Sequence, residues 1–257
     1  MNVLVAGFVA GLVVAALTAP VGVSGAVFLL PVQISVLGVP SPAVTPTNLL
    51  FNVVSIPGAL RRYSRRGPLR SPLTRILLAG TLPGVVVGAI IRVFLVPSAG
   101  VFKLIAAALL MPLGVWLCLR TATRTGDDRP RPSTRFITAT ALAVGVVGGI
   151  YGIGGGSLLS PILVGRGVPL ADVAPAALTS TLLTSIAGAA TYLGLAVATG
   201  GTDIAPAWAI GLSCGIGGLV GGYLGAHLQP RLPERGLRFT LGGVAIATAG
   251  IYAAQAL

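Results

Sequence analysis

Acidic side chains are scarce in this sequence of 257 residues, which has five Asp and Glu residues and one histidine. The acids lie in or beside loops between apolar runs: Asp127, Asp128, Asp172, Asp203 and Glu234. No carboxylate pair and no Ser/His pair falls within an apolar run, so we expect no enzyme. The lack of a mid-span carboxylate also disfavours a proton relay or a Na⁺ site, which leaves proton coupling through the substrate itself or a uniport mechanism.

Cysteine and histidine are also rare, with two cysteines and one histidine, so we expect neither a metal site nor a cofactor. Cys118 and Cys214 each lie within an apolar run without metal-ligand spacing, and we interpret both as packing residues. His227 lies near the end of an apolar run, where a structural role at the interface is expected.

Charged residues make up only 9% of the chain, against about 25% in a soluble domain, and hydrophobic residues make up 54%. Long apolar runs recur from end to end. We therefore predict one all-α polytopic domain over residues 1–257, in contact with the lipid bilayer of an inner or plasma membrane. No charged segment precedes the first apolar run, so we expect no cleaved signal peptide.

Positive charge is concentrated in two short polar segments. Residues 61–75 carry six arginines and no acid, and residues 120–135 carry five arginines and two acids. A net charge of +12 would suit nucleic acid, but arginines between spans are typical topology determinants that meet anionic headgroups. We expect both segments in the cytoplasm and no nucleic-acid partner.

Two interruptions divide the apolar runs into hairpin-like pairs. The runs are Val3–Leu17, Val21–Leu37, Ala43–Leu60, Ile76–Val96, Val101–Leu119, Phe136–Ile150, Ile153–Val164, Val173–Ala198, Ala205–Leu228 and Leu237–Leu257. A span needs about 20 residues, and the pairs broken at Thr18–Gly22 and Tyr151–Ser157 have shorter runs. Four glycines within residues 152–156 cannot continue a good helix. In lipid, such a break is tolerated only beside protein or a water-filled cavity.

The two interrupted segments resemble each other. Gly22-Val23-Ser24-Gly25 matches Gly152-Ile153-Gly154-Gly155, and Pro31 matches Pro161 at the same interval along the chain. After a gap of one position, Gly38-Val39-Pro40 corresponds to Gly167-Val168-Pro169, and further matches keep the same order. They predict a duplication, with repeat 1 over residues 1–120, a cytoplasmic linker over 121–135 and repeat 2 over 136–257.

Equivalent loops of the two halves differ in charge. The counterpart of residues 61–75 is Thr199–Ile204, which has one acid and no positive charge. The loops face opposite sides if each half has a re-entrant hairpin, with arms of about 15 residues, and three transmembrane helices. An odd number of crossings inverts the second repeat. The alternative is eight full spans in parallel orientation, and both arrangements place Arg92 and Lys103 outside.

The two helix breaks are suited to binding an anion. A half-helix that begins after a break presents free N–H groups and about +0.5 elementary charge. The second arms begin near Ser24 and Gly155 and would direct these ends at a shared centre. Candidate substrate-binding residues are Gly22, Ser24, Gly25, Asn48, Asn52, Tyr151, Gly152, Gly154, Gly155, Gly156, Ser157, Thr179, Ser180 and Thr181.

Several candidates also have a structural alternative. Asn48 and Asn52 lie one turn apart on one helix face, and either a ligand or a neighbouring helix would supply their partners. The hydroxyls of residues 179–181 would alternatively bond their own helix. Tyr151 is either a gate or a packing aromatic.

Residues 152–163, Gly-Ile-Gly-Gly-Gly-Ser-Leu-Leu-Ser-Pro-Ile-Leu, resemble the Gly-rich signature of the sulfite exporter TauE/SafE family of membrane permeases. Ala177-Leu178-Thr179-Ser180-Thr181 and the carboxy-terminal residues 225–238 are also similar to that family. The resemblance implies a bacterial or archaeal inner-membrane transporter of sulfite, sulfoacetate or a related anion. Pro20–Gly25 departs from the pattern, because it has fewer glycines, and this leaves the substrate open.

We therefore expect a transporter of a small anion, a sulfur oxyanion or organosulfonate, that works by alternating access. An anion channel with the same helix ends and a transporter of a non-sulfur organic acid are the alternatives. The direction of transport, the coupling ion and a homo-oligomeric state stay open.

Overall fold

The computed structural model describes residues 2–95, 132–201, 204–231 and 234–256, and also residues 100, 104, 107–108, 111–112, 114–116 and 118–119. These residues form helices and no strand, which confirms the all-α fold. The helices are α1 (Val3–Thr18), α2 (Ala26–Ser35), α3 (Ser41–Tyr63), α4 (Pro72–Phe94), α5 (Thr134–Tyr151), α6 (Leu159–Gly165), α7 (Leu170–Thr199), α8 (Trp208–Leu228) and α9 (Glu234–Ala256). Short 3₁₀ turns follow α1 (Ala19–Val21) and α8 (Gln229–Arg231).

Local sequence explains where several helices begin. Asn2, Ser71 and Ser133 each accept a hydrogen bond from a backbone N–H in the first turn of the helix that follows, at 3.1–3.3 Å. Pro72 occupies the first position of α4, where its missing N–H costs nothing. These caps fix the starts of α1, α4 and α5, which pack through the glycine ridges described next.

Two glycine ridges join the halves of the molecule. On α4, Gly80, Gly84 and Gly88 pack against α5, and on α8, Gly217, Gly221 and Gly225 pack against α1. A Cβ at any of these six positions would overlap a backbone carbonyl of the facing helix. Small residues at this spacing let membrane helices approach closely, so the glycines of both ridges serve helix packing.

The two ridges are equivalent in sequence. Gly80, Gly84 and Gly88 match Gly217, Gly221 and Gly225 at one constant interval along the chain. The residues that these glycines face also correspond to each other. They are Thr138, Leu142 and Val146 on α5, which match Phe8, Leu12 and Ala16 on α1. The interval along the chain is the one that separates Gly22 from Gly152. Each half thus lays its first helix against the fourth helix of the other half.

Contacts along the helices give their directions. Leu49 of α3 contacts Gly188 of α7, and Asn52 contacts Ser185, so α3 and α7 run antiparallel. By contrast, α3 and α8 run parallel, because Leu50 faces Gly211 and Val54 faces Gly215. The third helices of the two sequence halves therefore point in opposite directions.

The hairpin arms are unequal, whereas the sequence predicted two short arms of similar length. The first arms extend over Val3–Val21 (19 residues) and Thr134–Tyr151 (18 residues), and both are long and apolar enough to cross a membrane. The second arms, α2 and α6, have 10 and 7 residues. The residues on both sides of each break are apolar, so the sequence did not indicate that the two arms differ in length.

Six helices in the described part of the chain are long and apolar enough to cross a membrane. Besides the two first arms they are α3, α4, α7 and α8. The predicted crossing over Val101–Leu119 and the linker over 121–135 lie largely outside the described residues.

Candidate functional site

The two breaks share one backbone conformation. Gly22 has a φ of 70° and Gly152 a φ of 69°, a left-handed conformation that only glycine adopts without strain. The next matched pair, Gly38 and Gly167, also has positive φ, at 67° and 88°. Positions that correspond in sequence therefore turn the chain in the same way in both halves.

The second arm of the first half, α2, turns back toward the start of α1. Gly25 lies beside Val14, in the inner part of α1, and Leu37 lies beside Gly7 near its beginning. Thus α2 starts at mid-depth and runs antiparallel to α1. The first break is thereby brought inside the protein instead of ending at a surface.

Asn52 connects the two breaks. Its Oδ1 accepts a short hydrogen bond from Ser24 of the first break, and its Nδ2 donates to the C=O of Gly152 in the second break at 3.4 Å. The same Nδ2 donates to Oγ of Ser185 on α7 at 3.1 Å. One fully buried amide thus holds both breaks and the antiparallel helix pair together.

Asn48, one turn earlier, makes a second bridge. Its Nδ2 donates to the C=O of Ala26 at 2.9 Å and to the C=O of Tyr151 at 3.5 Å. Its Oδ1 is buried without a hydrogen-bond partner among the described residues. The sequence left open whether a ligand or a neighbouring helix supplies the partners of Asn48 and Asn52. Neighbouring protein groups, mostly backbone carbonyls, supply them, and within the described part of the chain only Oδ1 of Asn48 remains unpaired among the atoms of these two amides.

The glycine run is closely surrounded by protein. A Cβ at Gly154 would lie 2.5 Å from Cγ2 of Thr181, and one at Gly155 would lie 2.5 Å from Cγ2 of Thr81. The N–H of Gly155 donates to Oγ1 of Thr184 at 3.0 Å. Any larger residue in the run would displace it from α4 and α7.

Some backbone N–H groups of the run lack a hydrogen-bond acceptor in the described part of the chain. Among the described residues, the N–H groups of Gly154, Gly156 and Ser157 have no hydrogen-bond acceptor, and the N-cap residue of α6, Leu158, offers no side-chain cap. Unpaired N–H groups that are buried are costly. A ligand with acceptor oxygens would satisfy them.

The hydroxyl candidates on α7 divide into two groups. Thr179 is half-buried, and its hydroxyl and that of Thr181 bond the backbone of their own helix at 2.8 and 2.9 Å. Ser180 is fully buried and pairs with Oγ1 of Thr81 on α4 at 3.0 Å. Thr181 also lies beside Gly154, and Ser180 reaches the surroundings of the glycine run through Thr81, whereas the hydroxyl of Thr179 bonds its own helix.

Sequence reasoning missed several polar residues at this centre. Ser185 lies one turn beyond Thr181 on the same helix face, and Thr45 lies one turn before Asn48 and donates to the C=O of Ile150 at 3.1 Å. A spacing of one helical turn from a named candidate was the signal that would have found both. Arg92, assigned to an outside loop, is instead a buried residue of α4.

A cavity of about 790 Å³ lies beside the arginine-rich loop. Its lining includes Arg66, Asp172, Gln229 and Tyr63. Tyr63 is also the residue whose hydroxyl donates to the C=O of Ala19 at 3.0 Å, at the end of α1. One lining residue of the cavity, Tyr63, thus contacts the segment of the first break.

The described residues contain no cluster of His, Cys, Asp and Glu that could hold a metal ion. His227 accepts a hydrogen bond from Nε of Arg62 at 3.1 Å at the exposed end of α8, which suits the structural role predicted for it.

Comparison with family models matches residues 4–252 to the family described as sulfite exporter TauE/SafE. Comparisons with curated proteins and with solved structures found no match. The family match extends over both breaks, both glycine ridges and helix α3, which carries Asn48 and Asn52. The chain therefore belongs to the sulfite exporter TauE/SafE family.

Proposed function

We propose that the protein transports a small sulfur oxyanion or organosulfonate, such as sulfite or sulfoacetate, which binds between the two helix breaks. Family membership and the six membrane-spanning candidates make the chain a multi-pass transporter of the cell membrane and not an enzyme. The family description favours a sulfur anion as the substrate.

The observation that carries the proposed site is the bridge made by Asn52. A single buried amide connects Ser24 of one break with Gly152 of the other, so ligand binding at either break is transmitted to both. The available N–H groups of the glycine run are suited to an oxyanion, because anions are stabilised by backbone donors that need no countercharge.

The halves are proposed to be inverted repeats. This is supported by the antiparallel course of α3 and α7 and by the reciprocal glycine ridges. Inverted repeats with broken helices are a recurrent plan of secondary transporters, in which one repeat rocks against the other around a central site. The cavity beside Tyr63 would then be the cytoplasmic approach to the site, since it lies on the arginine-rich side.

An anion channel is the second candidate for the same helix ends. The buried state of Ser24, Asn48 and Asn52 favours the transporter, because a conducting pore needs a continuous polar path. A transporter of a non-sulfur organic acid would use the same donors.

A thermal-shift screen of the purified protein separates the substrate classes. Sulfite, sulfate, thiosulfate, sulfoacetate and acetate would each be tested at equal concentration and ionic strength. We expect sulfite or sulfoacetate to raise the Tm most, because a ligand that binds only the folded state stabilises it. A larger shift with acetate than with any sulfur anion would contradict the proposed substrate.

A further inference from the structure

A second group of buried polar side chains lies opposite the arginine-rich side. Arg92, in the last turn of α4, is 3% exposed, and its guanidinium donates to the C=O and Oγ of Ser41 at 2.8 and 2.9 Å. The phenol groups of Tyr192 and Tyr151 lie within electrostatic range of this guanidinium. Tyr151 and Tyr252, the latter on α9, belong to one cluster of buried side chains that also includes residues of α2. One cation and three phenols therefore share a buried region.

Two fully buried side chains in this region lack hydrogen-bond partners among the described residues. They are Gln33 on α2, with both amide atoms unpaired, and Tyr252, with its hydroxyl unpaired. Helix α2 packs against α9, and the backbone C=O of Gln33 accepts from the N–H of Val39, close to Ser41 in the chain. Gln33 thus borders the segment that Arg92 holds.

The fold itself does not require these polar groups. Leu163 is the residue of the other half that corresponds to Gln33, at the same interval along the chain as separates Gly22 from Gly152. Leu163 is fully buried in an apolar cluster. At the interval that relates the two glycine ridges, Gln229 takes the place of Arg92. An amide buried without a partner is costly, and the other half avoids that cost with leucine. The polar residues are therefore specific to one side of the molecule.

We propose that Arg92, Tyr151, Tyr252 and Gln33 form an oxyanion subsite on the extracytoplasmic side of the breaks. A guanidinium, two phenols and an amide supply donors for the several acceptor oxygens of one sulfur oxyanion. The anion occupies this subsite between the outer solution and the site bridged by Asn52. The subsite rests on the proposed anion transport. It would make anion binding differ between the two membrane faces, because Gln229 and Leu163 stand on the cytoplasmic side at the positions equivalent to Arg92 and Gln33.

Sided uptake of radiolabelled sulfite tests the subsite. Initial rates would be measured in right-side-out and inside-out membrane vesicles for the wild type, Gln33→Leu, Arg92→Gln and Tyr252→Phe. The first two variants receive the residues found at the equivalent positions of the other half. Tyr223→Phe serves as the matched control, because Tyr223 stacks on His227 near the cytoplasmic end of α8.

We expect the three subsite variants to raise the KM for sulfite at the extracytoplasmic face by about tenfold, as expected for a lost hydrogen bond to an anion. The KM at the cytoplasmic face and the control variant should stay within about twofold of the wild type. Gln33→Leu should also keep or raise the Tm, because it removes an unpaired buried amide.

Equal changes of KM at both faces, or no change at either, would overturn the subsite while leaving sulfite transport by the wild type intact. A wild type without saturable sulfite uptake would instead contradict the proposed function, and the subsite with it.

Discussion

Replacing Gly155 by alanine should separate a binding role of the glycine run from a packing role. The new Cβ would lie 2.5 Å from Cγ2 of Thr81, whereas carbon atoms in contact are about 3.5–4.0 Å apart. The run must then move about 1 Å away from α4, at a cost of about 1–3 kcal/mol for overpacking. The same movement strains the 3.0 Å hydrogen bond from the N–H of Gly155 to Thr184. We expect the variant to fold with a lowered Tm and to transport at least about tenfold more slowly per folded molecule.

Gly221→Ala provides the matched control for packing alone. Its Cβ would overlap the carbonyl oxygen of Leu12, a backbone atom that cannot rotate away, so its Tm should fall at least as far. Because Gly221 lies in the α1–α8 ridge and not at a break, its transport per folded molecule should stay near that of the wild type. Proteoliposome flux and thermal unfolding, measured on the same preparations, supply both quantities.

A compensating substitution sharpens the test. Thr81→Gly removes the two carbon atoms that a Cβ at residue 155 would meet, so the double variant should regain transport relative to Gly155→Ala. If Gly155→Ala transports like the wild type, or if Gly221→Ala loses as much transport at equal Tm, the glycine run serves packing only.

Three further predictions concern the bridge and the repeats. Asn52→Leu should lower the Tm by the equivalent of about 1–3 kcal/mol and abolish sulfite-induced stabilisation, because its partners stay buried without hydrogen bonds. An unchanged ligand shift would contradict this. Tyr63→Phe and Tyr192→Phe should lower the Tm by similar amounts, since each hydroxyl bonds a carbonyl before a break, at 3.0 and 2.8 Å. If one of these two variants lowers the Tm by more than about twice as much as the other, the two halves are not equivalent in structure. Cysteines at Ser64 and Thr199 should react with an impermeant reagent from opposite membrane sides, and labelling from the same side would exclude inversion.

The positions of the breaks could be predicted from the sequence because the requirement for glycine is local. A positive φ at Gly22 and Gly152 restricts the residue type whatever the surroundings are. The constant interval between matched positions, from Gly22 to Gly152 and from Pro31 to Pro161, then linked the breaks before any contact was known. The predicted resemblance to the sulfite exporter TauE/SafE family is confirmed by the family match over residues 4–252.

Side-chain partners could not be predicted, because they depend on how helices rotate against each other. Asn52 faced either a ligand or a neighbouring helix in the sequence, and its partners come from distant positions such as Ser24 and Ser185. Arg92 lies near the end of the apolar run Ile76–Val96, so its sequence position suggested that it belongs to an outside loop. Its burial results from contact with Ser41, which belongs to another helix.

Counter-transport in proteoliposomes tests the central claim most directly. Purified protein would be reconstituted with unlabelled sulfite inside, and uptake of labelled sulfite would be followed over a range of outside concentrations. Binding between two breaks that open in turn predicts saturable uptake, accelerated by internal sulfite and lost in Gly155→Leu. Uptake that rises linearly with concentration, ignores internal sulfite or equals that of protein-free liposomes would contradict it.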